Sequence, residues 1–216
     1  MASTPSNDSG HSTSVLPSEA GQPGSAAGEL IARLGLQPHP EGGWFRELYR
    51  AEEAVQRQRD GQRRCGLTLI AYLLQRGERS RWHRVRGSDE IWLHAGGAPL
   101  DLWALPPEGG QPRLLGLGSL TEDDPVGGGA GVAACAPVGE PGPTTAAGSA
   151  ASEGAAGDGD LPSRVIRADW WQAARSRGDW SLVHCVVGPG FAFEDFEILA
   201  LRPAAQRPPG AREDLL

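Results

Sequence analysis

The constraint that most limits this chain is a succession of short β-prone runs with almost nothing helical between them. WFRELY, CGLTLIAYLL, EIWLHA, LDLWAL, RLLGLG, RVIRA, WSLVHCVV and FEILAL are rich in β-branched, aromatic and Leu residues, and Gly, Pro and polar turn clusters separate them. Many short strands without intervening helices predict an all-β sandwich or small barrel. One segment departs from this. GELIARLGL places Leu30, Ile31, Leu34 and Leu36 at near-helical spacing and stops at Gly35 and Pro38, which predicts a short N-terminal helix.

The 216 residues suffice for one domain with a real core. All seven Trp, both Tyr and all four Phe lie between Trp44 and Phe196, so the domain is expected to span 28–203, with residues 204–216 as a C-terminal tail. Residues 1–27 hold hardly a large apolar group, and their burial cannot offset the entropy of ordering them. They read as a disordered tail. A transit peptide is the alternative for so Ser-rich a start, against which stands the absence of Arg. Residues 121–163 carry ten glycines, seven acids and no aromatic, and read as a disordered acidic insertion between two strands. Closing so long a surface loop costs little more than closing a short one.

Without these two segments, 20 Arg face 18 acids with no basic stripe, so nucleic acid has no electrostatic footing. No run of 18 apolar residues marks a membrane span, and the start lacks a secretory signal. Cys65, Cys135 and Cys185 are odd in number and far apart, as free thiols in a reducing compartment would be. The expectation is a cytoplasmic protein that meets neither nucleic acid nor membrane.

Chemistry-bearing residues concentrate in GERSRWHRVRGSDEIWLHAGG, residues 77–97. On a strand, Glu90, Trp92 and His94 point the same way, and His83 lies across a turn from Glu90. A carboxylate, an indole and an imidazole on one barrel face are costly to bury idle, which predicts a polar pocket. In HPEGG (39–43), Pro40 holds His39 extended while Gly42 and Gly43 permit positive φ and close backbone approach. His39 and Glu41 are placed near the pocket rim, and Arg46, on one strand face with Trp44, could bind a carboxylate or phosphate. Cys185 reads as a buried small hydrophobe. In GPGFAFEDFE, Gly188 and Gly190 are expected to turn, Phe191 and Phe193 to pack, and Glu194 and Asp195 to face water.

Gly77, His83, Val85, Glu90 and Gly97 carry the spacing of the first cupin motif, with Val85 where a second His ligand is usual. The second motif falls near RADWWQ, where Gln172 stands at its His position. LGLQPHPEGGWFRELYR, WHRVRGSDEIWLHAGG, WWQAAR and SLVHCVVGPGFAFEDFEILAL together resemble a cupin family of RmlC-like fold. The resemblance implies a double-stranded β-helix, usually a homodimer, with a pocket inside the barrel but no assigned reaction; the polar residues lead us to expect a small polar, sugar-, nucleotide- or carboxylate-like ligand there. His83, Glu90 and His94 are its expected catalytic residues, and His39, Glu41, Arg46, Trp92 and Gln172 its expected ligand contacts. Three functions follow: a metal-independent epimerase or isomerase; a non-catalytic binding or sensing module; and a metal-dependent oxygenase or isomerase using His83, Glu90 and His94. Since only two of the usual four ligands survive, no cofactor is certain and a divalent metal is not the favoured reading.

Overall fold

A computed structural model describes residues 25–120 and 159–216. Helix α1 (Ala26–Leu34) opens them, capped by the Ser25 hydroxyl, which accepts from the Gly28 amide at 3.0 Å, and closed by Gly35 in the left-handed conformation. The strands follow: β1 (Gln37–Pro38), β2 (Trp44–Arg50), β3 (Ala54–Gln56), β4 (Arg63–Cys65), β5 (Thr68–Gln75), β6 (Arg79–Val85), β7 (Asp89–Gly97), β8 (Leu100–Leu105), β9 (Arg113–Leu117), β10 (Ser163–Ile166), β11 (Trp171–Ser176), β12 (Trp180–Gly188) and β13 (Phe196–Ile198).

Two antiparallel sheets face each other. One has the order β1-β2-β5-β12-β7-β10 and the other β13-β6-β11-β8-β9, while β3 and β4 form a separate hairpin. Alternation sends one side of each strand inward, and Tyr72, Leu74, Trp92, Leu100, Leu102, Val183 and Cys185 fill one end of the interior. The outer face of the six-stranded sheet takes α1, whose Leu30, Ile31 and Leu34 pack on Leu36, Ala71 and Leu73. The expected all-β architecture with a short N-terminal helix is thus the observed one.

Three boundaries differ from the expected ones. Residues 25–27 belong to α1 and its cap rather than to the tail. Leu161 bridges Leu117, and Ser163 begins β10, so pairing draws residues expected in the insertion into the sheet. Of the 1–27 and 121–163 segments, residues 1–24 and 121–158 lie outside the described residues. Third, residues 204–216 are no loose tail: Leu215 is fully buried with Trp82, Trp103 and Trp171, and the Trp82 indole donates to the Arg212 carbonyl at 3.1 Å. This segment covers the outer aromatic face of the five-stranded sheet, which would otherwise meet water.

Candidate functional site

A pocket opens between the two sheets, with a volume of about 630 Å³, its mouth included. Phe45, Ile70, Tyr72, Val85, Val187, Phe191, Phe193 and Phe196 give it an apolar wall, and His39, Glu41, His83 and Glu90 are among its polar groups. Phe191, Phe193 and Phe196 pack edge to face with centroids 5.1 to 6.3 Å apart.

The HPEGG turn explains how a carboxylate from a loop comes to be buried here. The His39 amide donates to the Gly43 carbonyl at 3.0 Å, and the Gly42 amide donates to the His39 carbonyl at 3.0 Å. Gly42 (φ 112°) lies so close to β6 that an added Cβ would sit 2.2 Å from the Arg79 carbonyl oxygen. That approach lets the Arg81 amide donate to the Glu41 carbonyl at 2.9 Å and aims the Glu41 side chain inward. Glu41 is buried and belongs to the pocket interior, not the expected rim.

Around Glu41 the polar groups connect. The Ser80 hydroxyl donates to Oε1 at 2.8 Å, while Oε2 lies 3.2 Å from His83 Nε2 and 3.4 Å from His39 Nδ1. His83 Nδ1 stands 2.9 Å from the Arg81 carbonyl, so this nitrogen carries the proton and Nε2 offers a lone pair to Glu41. Burial pushes the Glu41 carboxyl up, against the opposing pull of His39, Ser80, Tyr72 and Arg81. Burial likewise lowers His83, opposed by Glu90 and the Arg81 carbonyl, and lowers His39, opposed by Glu41. Both directions favour the uncharged forms, a carboxylic acid donating to a neutral imidazole.

Glu90 sits on β7 and is held from behind. Gln172 donates its amide to Glu90 Oε2 at 2.6 Å and accepts from the Trp92 indole at 2.9 Å. Trp92 and Gln172 therefore brace Glu90 and do not themselves line the cavity, which corrects their expected role as ligand contacts. Burial raises Glu90, opposed by His83, and it raises the Cys185 thiol well above its ordinary value.

Two expected residues lie elsewhere. His94 shares a strand face with Glu90, but four residues along a strand span about 13 Å. The buried Trp92 stands between them, and His94 instead contacts the Ala98 carbonyl at 3.2 Å and the Ser119 hydroxyl at 3.3 Å. Arg46 points to the outer face, where it donates to the Leu34 carbonyl at 3.0 Å and ties β2 to the end of α1. Asp195, expected in water, is buried between Arg57 (2.9 Å) and Arg64 (2.8 Å), which clamps the β3–β4 hairpin to the segment bearing Phe193 and Phe196.

The donor set does not fit the metal centre that the fold implies. Val85 is aliphatic, Gln172 uses both ends of its amide within the protein, and His94 is remote. Among the described residues no three His, Cys, Asp or Glu side chains form a group able to hold a metal ion. The expected triad of His83, Glu90 and His94 is therefore not assembled.

Facing sheets, a pocket between them, and His83 and Glu90 on consecutive strands of opposite sheets (β6 and β7) rather than on the expected hairpin define a protein of the cupin fold class. A family model described as the Cupin_5 family of the cupin superfamily (DUF985) matches residues 28–199, and the chain belongs to that family. Among solved structures it is similar to a protein from Shewanella oneidensis, with 27% identity and a TM-score of 0.57 over 80% of this chain and 83% of that one. It is also similar to a hypothetical protein from Leishmania major, with 25% identity and a TM-score of 0.59 over 81% and 87%. None of the curated proteins compared with it matches. Among the described residues no helix is long and apolar enough to cross a membrane.

Proposed function

We propose that the chain binds a small organic molecule in the barrel pocket and moves a proton on it without a metal, as an isomerase or epimerase does. The observation that carries this reading is the contact of 3.2 Å between Glu41 Oε2 and His83 Nε2, buried in the pocket wall. An acid and a base whose surroundings push both toward neutrality exchange a proton at little cost, which suits them to take a proton from carbon and return one. Tyr72, buried beside them and donating to the Gly42 carbonyl at 2.7 Å, fixes the turn that carries Glu41. The acid–base pair is thus His83 with Glu41 rather than with His94.

The test is isotope uptake. The protein is incubated in heavy water with a panel of aldoses, ketoses and carbonyl compounds bearing alcohol or amino groups, and each is weighed by mass spectrometry. At least one compound is expected to gain deuterium with the wild type and none with His83→Ala. Exchange that survives in a folded His83→Ala protein sinks the acid–base assignment. Saturable binding without exchange favours the sensing module, a reading supported by Val85 and Gln172 at two positions where ligands are usual.

A further inference from the structure

The pocket holds more acidic groups than basic ones. Three carboxyl groups line it, Glu41, Glu47 and Glu90, against one guanidinium, Arg50. Arg50 is already engaged: Nε and Nη2 hold Glu47 at 2.9 and 2.6 Å, and Nη1 donates to the Phe191 carbonyl at 3.1 Å. Glu47 and Arg50 therefore neutralise each other at the mouth. Deeper in, Glu41 and Glu90 meet Ser80, Gln172, the Cys185 thiol and two imidazoles that burial holds uncharged. Arg81, a further cation beside Glu41, spends its guanidinium on the Glu41 and Pro40 carbonyls.

Above these carboxyls stand the rings of Phe45, Tyr72, Phe191, Phe193 and Phe196. Aromatic faces attract a cation, and more strongly once water is excluded. An anion would add like charge to a low-dielectric cavity that offers no free donor cation. A neutral molecule would make no use of two buried carboxyls that only protons otherwise neutralise.

We infer that the pocket takes an organic cation, a small ammonium compound with apolar substituents whose nitrogen sits between Glu41, Glu90 and the aromatic wall. This rests on the pocket being the ligand site proposed above, and it names the class of that ligand. It replaces the nucleotide- and carboxylate-like candidates, for which Arg46 was the expected anchor. A fixed positive charge also favours the ionised carboxyls, so its binding releases a proton. The groups facing Glu41 and Glu90 from neighbouring elements are His39, Tyr72, His83 and Cys185, with Arg81 behind them. Of these the imidazoles lose any charge as pH rises, and that change reinforces the trend.

The test compares three probes of nearly one shape by titration calorimetry at pH 5 to 8: choline, its uncharged isostere 3,3-dimethylbutan-1-ol, and the anion 3,3-dimethylbutanoate. Choline is expected to bind saturably at pH 8, at least tenfold more tightly than the alcohol, with an affinity that rises with pH although choline itself does not titrate. The anion is expected not to bind. Glu90→Gln should cost choline at least tenfold while leaving the alcohol unaffected, and Glu41→Gln is the second variant should the first fail to fold. Equal affinity for choline and the alcohol overturns the inference and leaves the pocket reading standing, as does choline binding untouched in a folded variant. Failure of choline to bind at pH 8 overturns the inference, while the pocket reading stands or falls by the isotope-uptake experiment.

Discussion

Replacing Glu41 with Gln separates two descriptions of the pocket's centre. An amide there can keep every contact of a protonated acid: its oxygen accepts from Ser80, now at 2.8 Å, and its NH₂ faces His83 Nε2 and His39 Nδ1, now 3.2 and 3.4 Å from Oε2. Hydrogen bonds are exchanged one for one, so the variant should lie within about 1 kcal/mol of the wild type near pH 5. The pH dependence tests the raised carboxyl itself. Burial raises the Glu41 carboxyl, so the folded state binds its proton more tightly than the unfolded state does. That contribution is complete below the unfolded value and is lost as pH rises toward the folded value, at about 1.4 kcal/mol per pH unit within the window. The amide of the variant does not titrate and loses nothing there. Urea unfolding followed by Trp fluorescence from pH 5 to 8 is therefore expected to show Glu41→Gln gaining on the wild type as pH rises. If Glu41 were instead a carboxylate paired with an imidazolium, the variant would leave that buried cation unpaired and lose about 3–5 kcal/mol already near pH 5, which would refute the neutral pair.

Asp195→Asn should destabilise by about 3 kcal/mol, because Arg57 and Arg64 lose a buried carboxylate while Arg57 keeps Asp60. Despite the cost of burial, Arg64 and Arg57 hold the Asp195 carboxyl below its ordinary value, so the difference should shrink as pH falls through that lowered value. A thermal melt unchanged at neutral pH contradicts the clamp. Leu215→Ala, at a fully buried site among three Trp, should cost about 2–4 kcal/mol in urea, and a cost under about 0.5 kcal/mol would show that the C-terminal segment does not cover the sheet. Tyr49, Leu69, Val186, Ile91 and Val165 stand in register across five strands on the outward sheet face, with Tyr49, Ile91 and Val165 exposed. We propose that the expected homodimer seats its second copy on that row, so light scattering should find a dimer for the wild type and a monomer for Ile91→Asp; a monomeric wild type counts against it.

The strands are legible where β-branched and aromatic residues crowd together, as in Thr68–Gln75 and Trp180–Gly188. Residues 79–85, with three Arg in RSRWHRV, fall outside the β-prone runs although they form β6, because alternation hides when the outward positions are long and charged. The docked segment 204–216 is rich in Pro and Arg, and only the aromatic face beneath it accounts for its order. An inward Arg46 is a natural expectation because period 2 tells which residues share a face but not which face a helix covers. Glu41 is expected at the rim because a loop carboxylate is usually solvated; its burial follows from the Gly42 approach to Arg79, a tertiary fact. Motif spacing picks out His83 and Glu90, whereas Tyr72 and Phe45 give no signal beyond their strands.

Two carboxyls buried against one cavity can be neutralised by a metal ion, by protons or by a cationic ligand. Val85 and Gln172 remove donors that the first would need, and Gln172 further binds Glu90 Oε2 with its own amide. Protons remain for the empty pocket and a cation for the filled one, and the two compete for the same oxygens. It follows that the ionisation which weakens the empty protein as pH rises is the one that tightens its hold on a cation. A choline-saturated sample should therefore keep its melting temperature over a pH range in which the empty protein loses stability. The gap between the two melts should widen with pH, and a gap that narrows would mean that Glu41 and Glu90 are not the groups that meet the charge.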